Sequence, residues 1–185
     1  VQTILAFDTA TAFGAVCALA SGGRGRRAKA GDLLAAVDEL VDDPRTLDGI
    51  VVGRGPGSFT SIRIGLAMAR SLALALDVPV AGASTLDAFA GGIPVIDARR
   101  SEVFTTGPRV CRPEELDVAG QTLIGDGAIR YRTLFEGRGA TVPADDDPAH
   151  VPDPLLLIER AGAFGAAELV EPLYVRDPDA KPSAT

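Results

Sequence analysis

The chain runs one short pattern twice. "TILAFD" at 3–8 is an apolar run that ends in Asp8, and after the turn "TATAF" the run "GAVCALA" returns. At 93–97 "IPVID" ends in Asp97, and after "ARRS" the run "EVFTTG" returns. Apolar runs of this length bounded by turn residues read as strands. A repeated strand, aspartate, turn, strand therefore restricts the fold to two lobes on one plan, an internally duplicated α/β architecture. The expected division is residues 1–92 for an N-terminal lobe and 93–185 for a smaller C-terminal one.

Between the two copies, the Gly/Arg/Lys-rich stretch 22–31 reads as a loop or frayed third strand. "GDLLAAVDELVDD" carries apolar residues at 33, 34, 37, 40 and 41, a helical stripe that Pro44 stops. "LDGIVVG" is a buried strand, "FTSIRIGLAMARSLALAL" a long helix, "DVPVAG" a strand, and "STLDAFAGG" a short helix capped by Ser84 or Thr85. The second half is the poorer copy. It offers a strand and turn at "TLIGDGA", a weak helix around "IRYRTLF", the loop "PADDDPAHVPDP" and a last amphipathic helix, "LLLIERAGAFGAAELV". A disordered tail is expected from about residue 177.

Composition excludes several classes of function. With 46% hydrophobic residues the chain can bury a core. A net charge of −7 argues against tight nucleic-acid binding through a broad basic face, although a local basic patch could still touch RNA. Arg63, Arg70 and Asp77 interrupt the best apolar run, so no membrane span is expected. Cys17 and Cys111 fit no metal spacing and read as reduced thiols, which points to the cytoplasm.

"GRGPGSFTSIRIG" at 53–65 raises the question of a phosphate cradle. A P-loop needs a lysine after its last glycine, and a dinucleotide fingerprint needs Gly-x-Gly-x-x-Gly with an acid after the next strand; this segment has neither. What remains is mechanical: Gly55, Pro56 and Gly57 turn the chain sharply and Ser58 caps the helix that follows. In that helix Gly65, Ala69 and Ala73 recur at i, i+4 and i+8 and admit a close neighbour. Asp8 and Asp97, at strand ends, could serve metal-assisted phosphoryl transfer or cap their own turns. His150 is the single histidine, which leaves no His-pair metal site and no histidine-based nucleophile machinery.

Five ordered motifs, "ILAFDTAT" (4–11), "GRGPGSFTSIRIG" (53–65), "STLDAFA" (84–90), "IDARRSEVF" (96–104) and "EPLYVR" (171–176), resemble the TsaB (YeaZ) family of tRNA threonylcarbamoylation subunits. The resemblance implies an ASKHA-type duplicated RNase H-like fold with a reduced second lobe. It implies a non-catalytic scaffold, an inactive paralogue that dimerises with the TsaD-type transferase, is joined by the TsaE-type ATPase, meets tRNA through the complex and forms a homodimer alone. ATP and a metal ion are then used by the partner subunits and no cofactor by this chain. In that family the first two helices form the interface; carried over, this names Leu34, Val37, Leu40, Ile62, Arg63, Leu66, Ala69 and Arg70. Asp8, Thr9, Asp97 and Arg99 are the candidate ligand-facing residues. This chain departs from the family in its shortened second lobe and in carrying "RRAKAGDLL" where a His-Ser pair is usual. Two competing functions stand beside the scaffold: a stand-alone ASKHA ATPase or phosphotransferase using Asp8 and Asp97 with magnesium, and an isolated homodimer with a separate role.

Overall fold

The first aspartate-ended run forms β1 (Thr3–Asp8), and the chain returns antiparallel as β2 (Ala15–Ser21) and β3 (Arg24–Ala30). Described here, in a computed structural model, are residues 2–30 and 33–176; the expected disordered tail lies outside them. The helix α1 (Leu33–Leu40) is followed by β4 (Gly49–Gly53), the long helix α2 (Phe59–Leu76) and β5 (Val80–Ala83). β4 and β5 pair parallel beyond β1, so the first sheet runs β3-β2-β1-β4-β5. The stretch 22–31, read as loop or frayed strand, thus holds a full edge strand in register with β2 from Arg24↔Ser21 to Ala30↔Ala15.

Alternation along the strands splits the core in two. Leu5, Phe7, Ile50 and Val52 point to the face covered by α1 and α2, where Leu33, Val37, Leu40, Ile62, Leu66 and Ala69 meet them. Ile4, Ala6, Val51, Ala81 and Ala83 point the other way. That second face is closed by α5 (Pro154–Glu159), whose Leu157 is fully buried there. A boundary at residue 93 would assign α5 to the second lobe; its apolar side instead seals the first sheet.

The second copy has β6 (Ile93–Arg99), β7 (Glu102–Thr105), β8 (Arg109–Cys111) and a two-residue β9 (Leu123–Ile124), in the order β8-β7-β6-β9. This is the first sheet's order with its last strand missing, so the duplicated fold with a reduced second lobe is present. Two short helices follow, α3 (Asp126–Arg130) and α4 (Arg132–Glu136). Val95, Val103, Leu123, Ala128 and Phe135 form its own core, while Ile96, Ala98 and Phe104 pack with Leu86 and Phe89 of the first half. His150 is buried between them: its Nδ1 accepts from Gly125 N–H at 3.0 Å and its Nε2 lies 3.1 Å from the Pro143 carbonyl. The single histidine is therefore a buried structural one.

Two expected helices are shorter. "STLDAFAGG" yields only a 3-10 turn at Thr85–Ala88, capped by Ser84. The apolar stretch 155–170 is α-helical only as far as Glu159, with one separate 3-10 turn at Ala167–Leu169. Beyond Glu159, Gly162 and Gly165 let the chain extend, and this segment hydrogen bonds along the outer edge of β5 (Gly162 N to Gly82 O, and Val80 with Gly165 in both directions).

Candidate functional site

At the end of β1 the Asp8 carboxylate is 1% exposed, with Oδ1 accepting from Ala10 N–H at 2.7 Å and Oδ2 from Thr85 Oγ1 at 2.6 Å. Burial pushes this carboxyl above the ordinary range, against the pull of those two hydrogen bonds. Gly53, at the end of β4, leaves the room it needs: a Cβ there would lie 1.8 Å from Asp8 Oδ2. Thr9 is similarly committed, its hydroxyl donating to the Ser61 carbonyl of α2 at 2.7 Å. Both side chains are thus hydrogen bonded within the chain.

The glycine-rich loop is a junction. Gly55 N–H donates to Thr85 Oγ1 and its carbonyl accepts from Thr85 N–H, while Ser58 N–H donates to the Ala10 carbonyl. Gly57 (φ 158°) lies against Ala10, whose carbonyl oxygen would be 2.3 Å from a Cβ. Ser58 caps α2 as expected, its Oγ accepting from Ser61 N–H. The turn over Gly55, Pro56, Gly57 and Ser58 thus ties the β1–β2 turn to the 85–88 turn and aims α2.

Between the lobes lies a cleft of about 660 Å³, walled by Ala10–Ala12, by Pro56–Ile62, by Asp97–Arg100 with Asp126, and by Leu173–Arg176. Asp97 and Arg99 are therefore on the cleft wall, apart from Asp8 and Thr9. Asp97 is engaged: Oδ1 accepts from Arg99 N–H at 3.0 Å, and Oδ2 lies 3.3 and 3.4 Å from the guanidinium groups of Arg99 and Arg130. The β6–β7 turn places Arg99, Arg100 and Ser101 all at positive φ, which costs roughly 1–2 kcal/mol per residue. Asp126 escaped the sequence reading. Its Oδ2 accepts from Ala12 N–H of the first lobe at 2.9 Å and its Oδ1 from Asp97 N–H of the second at 3.0 Å. Burial raises its pKa, with the charge of Asp97 a further cause in the same direction. The signal was the "GDG" triplet: a Cβ at Gly127 would come within 2.9 Å of Asp97 N, so only glycine lets α3 sit this close to β6.

A strap closes one side of the cleft. Leu173 N–H donates to the Arg54 carbonyl, Tyr174 stacks on Phe59 with ring centroids 5.2 Å apart and its hydroxyl oxygen accepts from Arg63 Nε–H at 2.9 Å, and Arg176 pairs with Glu102 of β7. The motif "EPLYVR" thereby runs from α2 to the second sheet.

The residues carried over as partner interface divide. Val37, Leu40, Ile62, Leu66 and Ala69 are buried in the chain's own core, because the sheet takes the smooth Gly/Ala side of α2 and its adjoining apolar residues. Leu34, Arg63 and Arg70 are exposed. The open side of α2 instead presents Phe59, Ile64 and Leu74, the last 87% exposed, which the sequence did not single out as solvent-facing.

The family profile described as "TsaD: tRNA N6-adenosine threonylcarbamoyltransferase" matches residues 24–132. The chain is 35% identical over 167 residues to an uncharacterized protein of Mycobacterium tuberculosis strain H37Rv, covering 83% of this chain and 75% of that one. It is 40% identical over 82 residues to the tRNA threonylcarbamoyladenosine biosynthesis protein TsaB of Bacillus subtilis, 38% of this chain and 36% of that protein. The solved structure of YeaZ from Pseudomonas aeruginosa superposes with a TM-score of 0.76 at 28% identity, over 94% of this chain and all of that one.

Proposed function

Because this chain belongs to the TsaD-like family, in its TsaB (YeaZ) branch, we propose that it serves tRNA threonylcarbamoyladenosine biosynthesis as a non-catalytic subunit of the cytoplasm. It pairs with the TsaD-type transferase through the open face of α2, and the TsaE-type ATPase joins the pair. The observation that carries this reading is that face itself. Phe59, Ile64 and Leu74 are 49%, 54% and 87% exposed on a helix whose opposite side is sealed in the core, and exposed Leu34 of α1 lies on the same side of the sheet. Arg63 and Arg70 add charge to the strip. Without a partner, the same face supports a homodimer.

The test is size-exclusion chromatography with light scattering, for the chain alone and mixed with the TsaD-type protein of its organism. The native chain should form a complex that the double variant Ile64→Glu, Leu74→Glu loses while keeping its thermal unfolding midpoint. A complex indifferent to both glutamates would sink the assignment.

Magnesium-assisted phosphoryl transfer requires Asp8 and Asp97 to offer free oxygens to one ion. Asp8 is closed off by Thr85 and Ala10, and Asp97 is held by Arg99 and Arg130. These residues do not fit a shared metal ion.

A further inference from the structure

We propose that the open edge strand β3 is a contact surface for the phosphate backbone of RNA, so that this chain itself holds part of the tRNA; the proposal rests on the tRNA-modification reading above. Four of the chain's 18 basic residues, Arg24, Arg26, Arg27 and Lys29, fall within the seven residues of β3, and no acid occurs from Ser21 to Gly31. On a molecule of net charge −7 this is segregation of charge. β3 is the outermost strand of its sheet and, among the described residues, β2 is the one strand paired with it. At a rise of about 3.3 Å per residue the four span roughly 17 Å of the edge, with Arg24 and Arg26 on one face and Arg27 and Lys29 on the other, so a nucleic-acid strand lying along this edge meets a pair of cations on each flank.

Local pairing takes up the charge of Arg27 alone among the four. Arg26 donates to the Leu40 carbonyl, which neutralises nothing, and Lys29 stands 5.1 Å over the Phe13 ring. Arg27 pairs with Asp153 and remains 54% exposed. The strand's backbone edge adds donors of the kind that nucleic-acid phosphates accept. Charged edges also guard against sheet-to-sheet aggregation. The opposite edge, β5, is guarded by backbone pairing with Gly162 and Gly165 and carries no charged residue, so edge protection in this fold does not demand a run of four cations.

The experiment measures binding of an unmodified, labelled tRNA transcript by fluorescence anisotropy between about 50 and 200 mM KCl. It compares the native chain with Arg24→Glu, Lys29→Glu, each alone and with the TsaD-type subunit, and light scattering follows assembly of the same samples. The reversal keeps the edge charged and therefore guarded, and it spares the Arg26 and Arg27 contacts. The expected result is about tenfold or greater weakening, with the slope of log affinity against log salt reduced by roughly 1.4–1.8, as for two lost phosphate contacts. Unchanged affinity in an intact complex overturns the proposal and leaves the subunit assignment standing. Loss of the complex with RNA affinity unchanged makes β3 a protein-docking edge and also overturns it, as does absence of RNA binding by native protein at the lowest salt. Failure of the native chain to assemble at all counts against the subunit assignment alone.

Discussion

At Asp8 burial and hydrogen bonding pull in opposite directions, and burial wins. Because the folded-state pKa lies above the unfolded one, the folded protein binds more protons between the two, so this group's contribution to stability falls as pH rises through that window and is regained on acidification. Asp8→Asn keeps an acceptor and removes the charge. Its unfolding free energy relative to the native protein should be most favourable at neutral pH and should decline as pH is lowered toward the ordinary carboxylate range, measured by urea titration at several pH values. A difference that is flat with pH would contradict a raised pKa. Asp8→Ala orphans the Thr85 hydroxyl and the Ala10 amide and should cost about 2–4 kcal/mol.

The two faces of α2 make opposite predictions. Ile64→Glu lies on the open side and should change stability by no more than about 0.5 kcal/mol, whereas Leu66→Glu buries a charge in the core and should cost more than about 3 kcal/mol. Chemical denaturation of the two variants decides this, and equal losses would place both side chains in the interior. The sequence could not make the distinction, since α2 is apolar nearly all round and its periodicity names no single buried side. Arg63 and Arg70 were the usable markers of the solvent face, being a full two turns apart. The two strand–turn–strand returns, the Ser58 cap and Asp8 at the end of β1 were legible, because apolar runs, turn residues and capping chemistry are local, whereas β6 continues past Asp97 to Arg99. What Asp8 and Asp126 bond to was not legible, because Thr85 and Ala12 reach them only through the tertiary fold. The apolar stretch 155–170 misled for a related reason: its helical spacing continues past Glu159, but Gly162 and Gly165 release the chain to an edge that offers hydrogen bonds.

Across the whole molecule, one carboxylate and one strap join the lobes alongside the apolar contact of Ile96, Ala98 and Phe104 with Leu86 and Phe89. Asp126 binds the amides of Ala12 and Asp97, one from each lobe, so Asp126→Ala should cost about 2–4 kcal/mol and increase hydrogen exchange at both amides. Loss of protection in only one lobe would mean that the carboxylate does not couple them. Tyr174→Ala removes the stack on Phe59 and the contact with Arg63, and should raise protease cleavage within 171–176 while the first sheet stays protected. The covering of β5 also sets an order of events in time. A growing chain completes the first sheet's strands by Ala83 but supplies the segment that shields their outer edge only on reaching Gly162 and Gly165. During that interval on the ribosome the nascent lobe carries a bare strand edge, an invitation to neighbouring nascent chains. Synthesis of the second lobe is therefore a period of exposure for the first, and a slow or stalled ribosome in that stretch would lengthen the demand for a chaperone.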